Sequence, residues 1–182
     1  MILTYDLETY EFSKDIICGS IAYRDYKQEI KLETYNNKKD IIEALIKIAE
    51  SEEKQGHKVQ AYAHNADFDA LRLIEIKDKR LKIIKATKPG IYAYKTKPEN
   101  EKYPLYLYDS MKIFPMGLEK VGKIIGHEKT TPPKEIDNKM KHDPNFKPTY
   151  EEYQEIVKYN QNDCIVLLKA LEWIKKAHST KD

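Results

Sequence analysis

Cysteine is scarce in this chain, long apolar runs are missing, and nothing at the N-terminus resembles a leader. The only cysteines are Cys18 and Cys164, far apart and each in an apolar segment. That excludes a disulfide framework and reads as two reduced core residues of an intracellular protein. No Cys/His grouping has the spacing of a zinc site. No apolar run approaches the roughly 18 residues of a membrane span, so no membrane partner is expected. The opening Met1-Ile2-Leu3-Thr4-Tyr5-Asp6 lacks the basic region and cleavage site of a signal peptide. Internal repeats and low-complexity tracts are absent as well. What remains is 182 residues, 41% hydrophobic and 34% charged. This is the composition of a soluble globular chain, most simply one domain over 1–182, large enough to bury a proper core.

Net charge is small, +2, but unevenly spread. From Lys77 to Tyr150 there are 17 basic and 9 acidic residues, against 15 basic and 21 acidic elsewhere. A basic middle beside acidic ends suits a polyanion held by its backbone, although a lysine-rich solvated face has the same composition.

Ile2 to Leu7 reads as a strand whose alternation puts Thr4, Asp6 and Glu8 on one side and Leu3, Tyr5 and Leu7 on the other. Ile16 to Tyr23 and Gln28 to Tyr35 continue it as an antiparallel meander. Asp40 to Lys54 is a helix with an apolar stripe of Ile41, Ile42, Leu45, Ile48 and Ala49, ended by Gly56. Lys58 to His64 is a buried-type strand, Asn65-Ala66-Asp67 a turn, and a helix runs from Phe68 to about Lys77. Leu81 to Lys85, Ile91 to Lys95 and Leu105 to Tyr108 are further strands separated by Pro/Gly turns. A short helix from Gly117 to Ile125 stops at Gly126. Residues 127–148, rich in Lys, Pro, Asp and Asn, read as an ordered loop or mobile arm. Thr149-Tyr150-Glu151-Glu152 is a capping box that opens a long helix to about Lys176, with Asn160-Gln161-Asn162 as an expected interruption. Its core positions are Tyr153, Ile156, Val157, Cys164, Leu167, Leu168, Leu171 and Ile174. The expected architecture is α/β, with a central mixed sheet flanked by helices.

Three segments carry the chemistry. Asp6-Leu7-Glu8 places two acids on one strand face, which is costly unless a cation sits between them. His64-Asn65-Ala66-Asp67-Phe68-Asp69 follows a strand. Tyr159 and Asp163 lie four residues apart on a helix, hence on one face. Each alone has an ordinary explanation: a surface acid pair, a helix N-terminus, an i,i+4 contact. Together they offer four carboxylates and a phenol, a donor set able to hold two divalent ions against a phosphodiester.

These segments resemble the three motifs of the DEDD superfamily of 3′–5′ exonucleases in its tyrosine-bearing (DEDDy) branch: D-x-E, N-x-x-F-D and Y-x-x-x-D. Within it, the chain is most similar to the proofreading domain of protein-primed family B DNA polymerases of phages, linear plasmids and related viruses. Asp109-Ser110-Met111-Lys112-Ile113-Phe114 is similar to that domain's single-strand-binding motif, with Met111 where leucine is usual. The resemblance implies a ribonuclease-H-like fold with a five-stranded sheet. It also implies a Mg2+ or Mn2+ cofactor (two ions), single-stranded DNA 3′ ends as substrate and nucleoside 5′-monophosphates as product. Asp6 would bridge both ions, Glu8 and Asp163 would complete the site of one, and Asp69 would hold the other. Tyr159 would orient the attacking water, being a poor base with a pKa near 10. Thr9, Asn65, Phe68, Ser110 and Met111 would grip the terminal nucleotides, Phe68 and Tyr62 by stacking, with core packing the competing role for Tyr62. The family's phosphate-holding lysine falls to Lys134, with Lys129 as rival. His64 reads as a hydrogen-bonded structural histidine, Asp67 and Asp109 as turn residues.

The palm, fingers and thumb of such a polymerase have no counterpart here. A free-standing nuclease, a proofreader serving a replicative polymerase in trans, and an excised fragment are all compatible with this. The Met1 start and polar end favour a complete small gene product in a prokaryotic cytoplasm, virus- or plasmid-encoded origin included. The alternatives are an RNA 3′-end trimmer of the same superfamily, since no residue shows how a 2′-OH would be excluded, and a non-catalytic single-strand-binding or polymerase-accessory module. The retained acids argue against the second.

Overall fold

The computed structural model of the protein describes residues 1–74, 81–82, 91–94 and 104–179. At Asp67, Phe68, Leu71, Ile74 and the short strands 81–82 and 91–94, only the backbone is described. The strands are β1 (Ile2–Thr9), β2 (Ile16–Arg24), β3 (Ile30–Tyr35), β4 (Val59–Ala63), β5 (Leu81–Lys82), β6 (Ile91–Tyr94) and β7 (Leu105–Asp109). The helices are α1 (Lys38–Lys54), α2 (Ala66–Ile74), α3 (Leu118–Ile125), α4 (Lys134–His142) and α5 (Tyr150–Ser179), with a short 3₁₀ turn at Ser110–Lys112. The expected extensions of α2 to Lys77, of β5 to Lys85 and of β6 to Lys95 lie outside the described residues.

The strands form one mixed sheet in the order β3-β2-β1-β4-β7-β6-β5. β1 to β3 are an antiparallel meander, with Asp6 opposite Ser20 and Ser20 opposite Thr34. β4 joins β1 in parallel and β7 joins β4 in parallel. The expected five-stranded core is therefore β3-β2-β1-β4-β7, and the antiparallel β6–β5 ribbon extends it at the β7 edge.

Strand alternation decides which face buries what. Leu3, Tyr5 and Leu7 of β1 join Val59, Ala61, Ala63, Leu105 and Leu107 in one large cluster with Ile41, Leu45 and Ala49 of α1 and Leu73 of α2. The opposite face is covered by α5, through Ala22 against Cys164 and Leu168, and by α3, through Val121 against Val166, Leu167 and Leu171. At about 25 cal/mol per Å² of apolar surface removed from water, these two clusters are the main stabilising contribution. Both cysteines are buried and free.

Two expectations are corrected. Residues 127–148 are not all loop, because α4 lies within them. Its polar composition hides an anchor: Ile136, with Met140 alongside, packs against Ile17, Cys18, Phe146 and Ile156. Nor is α5 interrupted. The capping box forms, with Glu152 N donating to Thr149 Oγ1 at 3.2 Å and Thr149 N to Glu152 Oε1 at 3.3 Å. Beyond it, each of the three polar residues finds a tertiary partner that compensates for weak helix propensity. Asn160 bonds Asp6, Gln161 bonds Thr34, and Asn162 bonds the Glu128 carbonyl.

Candidate active site

β1, β4 and β7 run parallel, so their C-terminal ends share one edge of the sheet, where open α/β sheets commonly build their sites. β1 delivers Asp6 and Glu8 on the α5-facing side. His64 and Asn65 follow directly on β4, and β7 ends at Asp109, with Ser110 next. Asn65 takes a left-handed conformation (φ 69°), a backbone state that asparagine tolerates better than most residues. Its amide donates to Asp109 Oδ1 at 3.1 Å, and the Met111 amide donates to the same oxygen at 2.9 Å. Asp109 thereby ties the ends of β4 and β7 together, the turn role expected of it.

Asp6, Glu8 and Asp163 converge: one carboxylate oxygen from each lies within 4.8 Å of the others. No other group of three such ligand atoms occurs among the described residues. With Asp69, Tyr159, Lys129, His64 and Asn65 they line a cavity of about 270 Å³. Asp69 and Asp163 are both only 4% exposed. A larger groove of about 1040 Å³, near Arg24 and Trp173, gathers no such acid cluster. The chemistry is therefore assigned to the smaller cavity.

Burial and mutual repulsion dominate the electrostatics. Burial, then Asp163, raises the Asp6 carboxyl to about 7, with Lys129, Glu8 and Asn160 opposing. Burial, then Asp6 and Asp163, holds Glu8 well above the usual carboxylate range. Burial also raises Asp163, to about 6, even though Lys129 stands against it. Asp69 is held high by burial and by Asp6 and Asp109, while the Leu7 amide donates to it. Burial, Glu8 and Asp163 push the Tyr159 phenol far up, so it stays protonated.

This donor set fits a divalent cation. Oxygen-only ligands are what magnesium and manganese prefer. Asp163 Oδ1 is buried without a hydrogen-bond partner, a costly arrangement for an isolated protein. The residues that would hold such ions are Asp6, Glu8, Asp163 and Asp69.

The two candidate lysines part company. Lys134 opens α4 with an exposed side chain and is absent from the cavity lining. Lys129 reaches Asp163 Oδ2 at 3.1 Å and the Tyr159 hydroxyl at 3.5 Å, with its ammonium 5.2 Å from the Tyr159 ring centroid. Loop placement explains why. The chain at 127–129 crosses α3 at Gly122, where a Cβ would come within 2.6 Å of the His127 carbonyl. His127 is then tied to Asn162 Oδ1 at 3.1 Å and to Lys169 Nζ at 3.3 Å. Sequence spacing carries none of this. For a site that hydrolyses phosphodiesters, Lys129→Ala would lower the single-turnover cleavage rate about 10–100-fold and Lys134→Ala less than about 2-fold.

The remaining site residues separate as follows. Thr9 lines an adjoining cavity of about 230 Å³ that shares Leu7, Glu8 and Tyr159 with the first. Asn65 is exposed at the first cavity's rim, and Met111 is exposed but lines neither cavity. Ser110 is fully buried. Its hydroxyl lies 3.0 Å from His64 Nδ1 and 3.1 Å from the Ala63 carbonyl, so it is consumed inside the protein and unavailable to a nucleotide. His64 Nε2 donates to the Met116 carbonyl at 2.7 Å, which leaves Nδ1 an acceptor, so the single Ser110 hydroxyl proton is shared between Nδ1 and the Ala63 carbonyl. Burial lowers the His64 pKa, consistent with a neutral structural ring. Tyr62 stacks on Tyr108, centroids 5.2 Å apart, and packs partly against the α3–α5 cluster, which is the core role weighed for it. Phe68 lies on α2, and its side chain is outside the described residues, as is that of Asp67. Asn160 reads in sequence only as a weak helix former, yet it lies 2.7 Å from Asp6 Oδ2. The one available signal was a polar residue on the α5 face otherwise occupied by Ile156, Asp163, Cys164 and Leu167.

No protein-family model matches the chain, and no curated protein does. Solved structures do. Phi29 DNA polymerase complexed with single-stranded DNA is similar over 97% of this chain and 32% of its own, at 15% identity and a TM-score of 0.65. The ternary complex of Phi29 DNA polymerase with primer-template DNA and incoming nucleotide substrates is similar over 97% and 31%, at 16% identity and a TM-score of 0.66. The post-translocation binary complex of the same enzyme gives 17% identity and a TM-score of 0.63. Likeness at this identity shows the fold: α/β, ribonuclease-H-like, as found within a DNA polymerase. The chain spans about a third of the length of the structures it matches.

Proposed function

We propose that the protein is a divalent-metal-dependent 3′–5′ exonuclease acting on single-stranded DNA ends, of the tyrosine-bearing DEDD type. The observation that carries this reading is the convergence of Asp6, Glu8 and Asp163 from opposite ends of the chain into one cavity with Asp69 and Tyr159. A structural neighbour complexed with single-stranded DNA supports the substrate class.

Hydrolysis forms a bond from water oxygen to phosphorus and breaks the P–O3′ bond, with the departing oxygen taking a proton. Mg2+ or Mn2+ held by Asp6, Glu8, Asp163 and Asp69 would lower the pKa of the attacking water and offset charge on the leaving oxygen. The protein supplies the rest. Tyr159, kept as a phenol, holds the attacking water through its hydroxyl and so fixes its approach. Lys129 stands where it can exchange Asp163 for a non-bridging phosphate oxygen. Thr9 and Asn65, which line the two adjoining cavities, hold the terminal nucleotides, with exposed Met111 as a further contact. Tyr159→Phe is expected to lower kcat about 10–100-fold with an unchanged melting temperature, since only the hydroxyl is lost; an unchanged rate would contradict water orientation.

The test is a time course on a 5′-labelled single-stranded DNA oligomer with Mg2+, beside an identical RNA and a 3′-blocked DNA. A ladder shortening from the free 3′ end of DNA, abolished by the block and by EDTA, is expected. Faster degradation of the RNA would select the RNA-trimming reading. No cleavage of any substrate by folded protein would select the accessory-module reading. Adding a replicative polymerase with a mismatched primer end would then test proofreading in trans.

A further inference from the structure

Asn160 is fully buried on α5, within the face that packs on β1. Its Nδ2 donates to Asp6 Oδ2 at 2.7 Å, at the short end for an amide nitrogen on a carboxylate. Its Oδ1 is buried with no hydrogen-bond partner. The amide orientation is set by Asp6, because turning it over would place Oδ1 against a carboxylate oxygen. A half-satisfied buried amide is an expensive way to join a helix to a strand; a leucine of similar size would fill the same space without an orphaned carbonyl. Stability alone therefore does not explain this residue. Its effect is on Asp6: the bond restrains the orientation of the carboxylate. Both partners sit on rigid elements, 154 positions apart in sequence.

We infer that Asn160 is a positioning residue that holds Asp6 ready for a divalent cation, so that the site binds metal more weakly without the amide. The inference rests on the nuclease reading only through the identity of the metal site, and the test separates the two. Mn2+ binding to the intact chain is measured by titration calorimetry at pH 7.5 for the wild type, Asn160→Leu and Asn160→Ala. Metal-free melting temperatures and kcat and KM on a single-stranded oligomer are measured alongside.

The expected result is a Mn2+ Kd raised about 10-fold or more in both variants, the usual size of an outer-shell loss. A lower kcat at limiting Mn2+, an unchanged oligomer KM and a metal-free melting temperature in Asn160→Leu no lower than wild type complete the pattern. Equal Mn2+ affinity in wild type and variants overturns the inference. So does a lower metal-free melting temperature in Asn160→Leu with Mn2+ affinity retained, which would make Asn160 a structural tie. If Asn160→Leu does not fold, Asn160→Ala carries the binding comparison. Wild-type protein that binds no Mn2+ would sink the metal-site reading itself, a separate outcome visible before any variant is compared.

Discussion

Asp6→Asn is expected to lower the proposed exonuclease turnover by about 10³-fold or more and, without metal at pH 8, to raise the melting temperature. The two halves have one cause. Asp6 lies in a trio with Glu8 and Asp163, and its carboxyl is held near 7 mainly by its desolvated surroundings and by Asp163. At pH 8 the apo protein must nonetheless ionise it, and the repulsion is relieved only partly by Lys129 and the Asn160 amide. Asparagine keeps the shape, and its Oδ1 can still accept from Asn160 Nδ2. What disappears is the charge. Removing about 1 kcal/mol of repulsion raises the melting temperature of a chain this size by about 2–4 °C. Activity falls because a neutral amide is a poor ligand for magnesium, and a rate change of 10³ corresponds to only about 4 kcal/mol of transition-state stabilisation. Thermal unfolding of both proteins in EDTA, with single-turnover cleavage in Mg2+, checks both halves. A destabilised, inactive variant would mean that Asp6 serves the fold.

Much of this arrangement is local pattern and was legible as such. Strict alternation in Ile2–Leu7 places Asp6 and Glu8 opposite the core residues, and the i,i+4 spacing of Tyr159 and Asp163 needs only a helix. Those features are properties of one element each. The parts that could not be read depend on two elements meeting. Lys129 reaches Asp163 because a glycine lets the chain cross α3 closely and His127 is tied to α5. Ser110 reads as a nucleotide ligand in a motif, yet in the fold its hydroxyl is spent on His64 and Ala63. α4 escaped because its helix is held by a single buried residue, Ile136, in a polar stretch. Asn160-Gln161-Asn162 reads as a helix break when propensity is considered alone, whereas each side chain is claimed by another element.

Metal-free protein is expected to lose stability as pH rises from 6.5 to 8, and Mg2+ is expected to remove that loss. The sign follows from proton counting. Asp6 titrates near 7 in the fold, against about 3.9 in an unfolded chain. Between those values the native state binds more protons than the unfolded one, so stability falls as pH increases and the penalty is complete above about 8. Asp163, raised to about 6, contributes in the same direction lower in the range. His64 acts oppositely: buried and neutral, it leaves the unfolded chain with the extra proton below about 6.5, and stability there rises with pH. Starting at pH 6.5 limits the opposing His64 contribution to about 0.4 kcal/mol at most, smaller than that of the carboxylates. From Asp6 alone the change to pH 8 is about 1 kcal/mol, or about 2–4 °C in melting temperature. A bound cation requires the ionised acids, so protons compete with it and its stabilisation grows with pH. Melting temperatures at pH 6.5, 7.2 and 8, each in EDTA and in Mg2+, should therefore diverge with increasing pH. Parallel curves would show that the acids do not share a site with the metal, and Asp6→Asn should flatten the EDTA curve if Asp6 is its source.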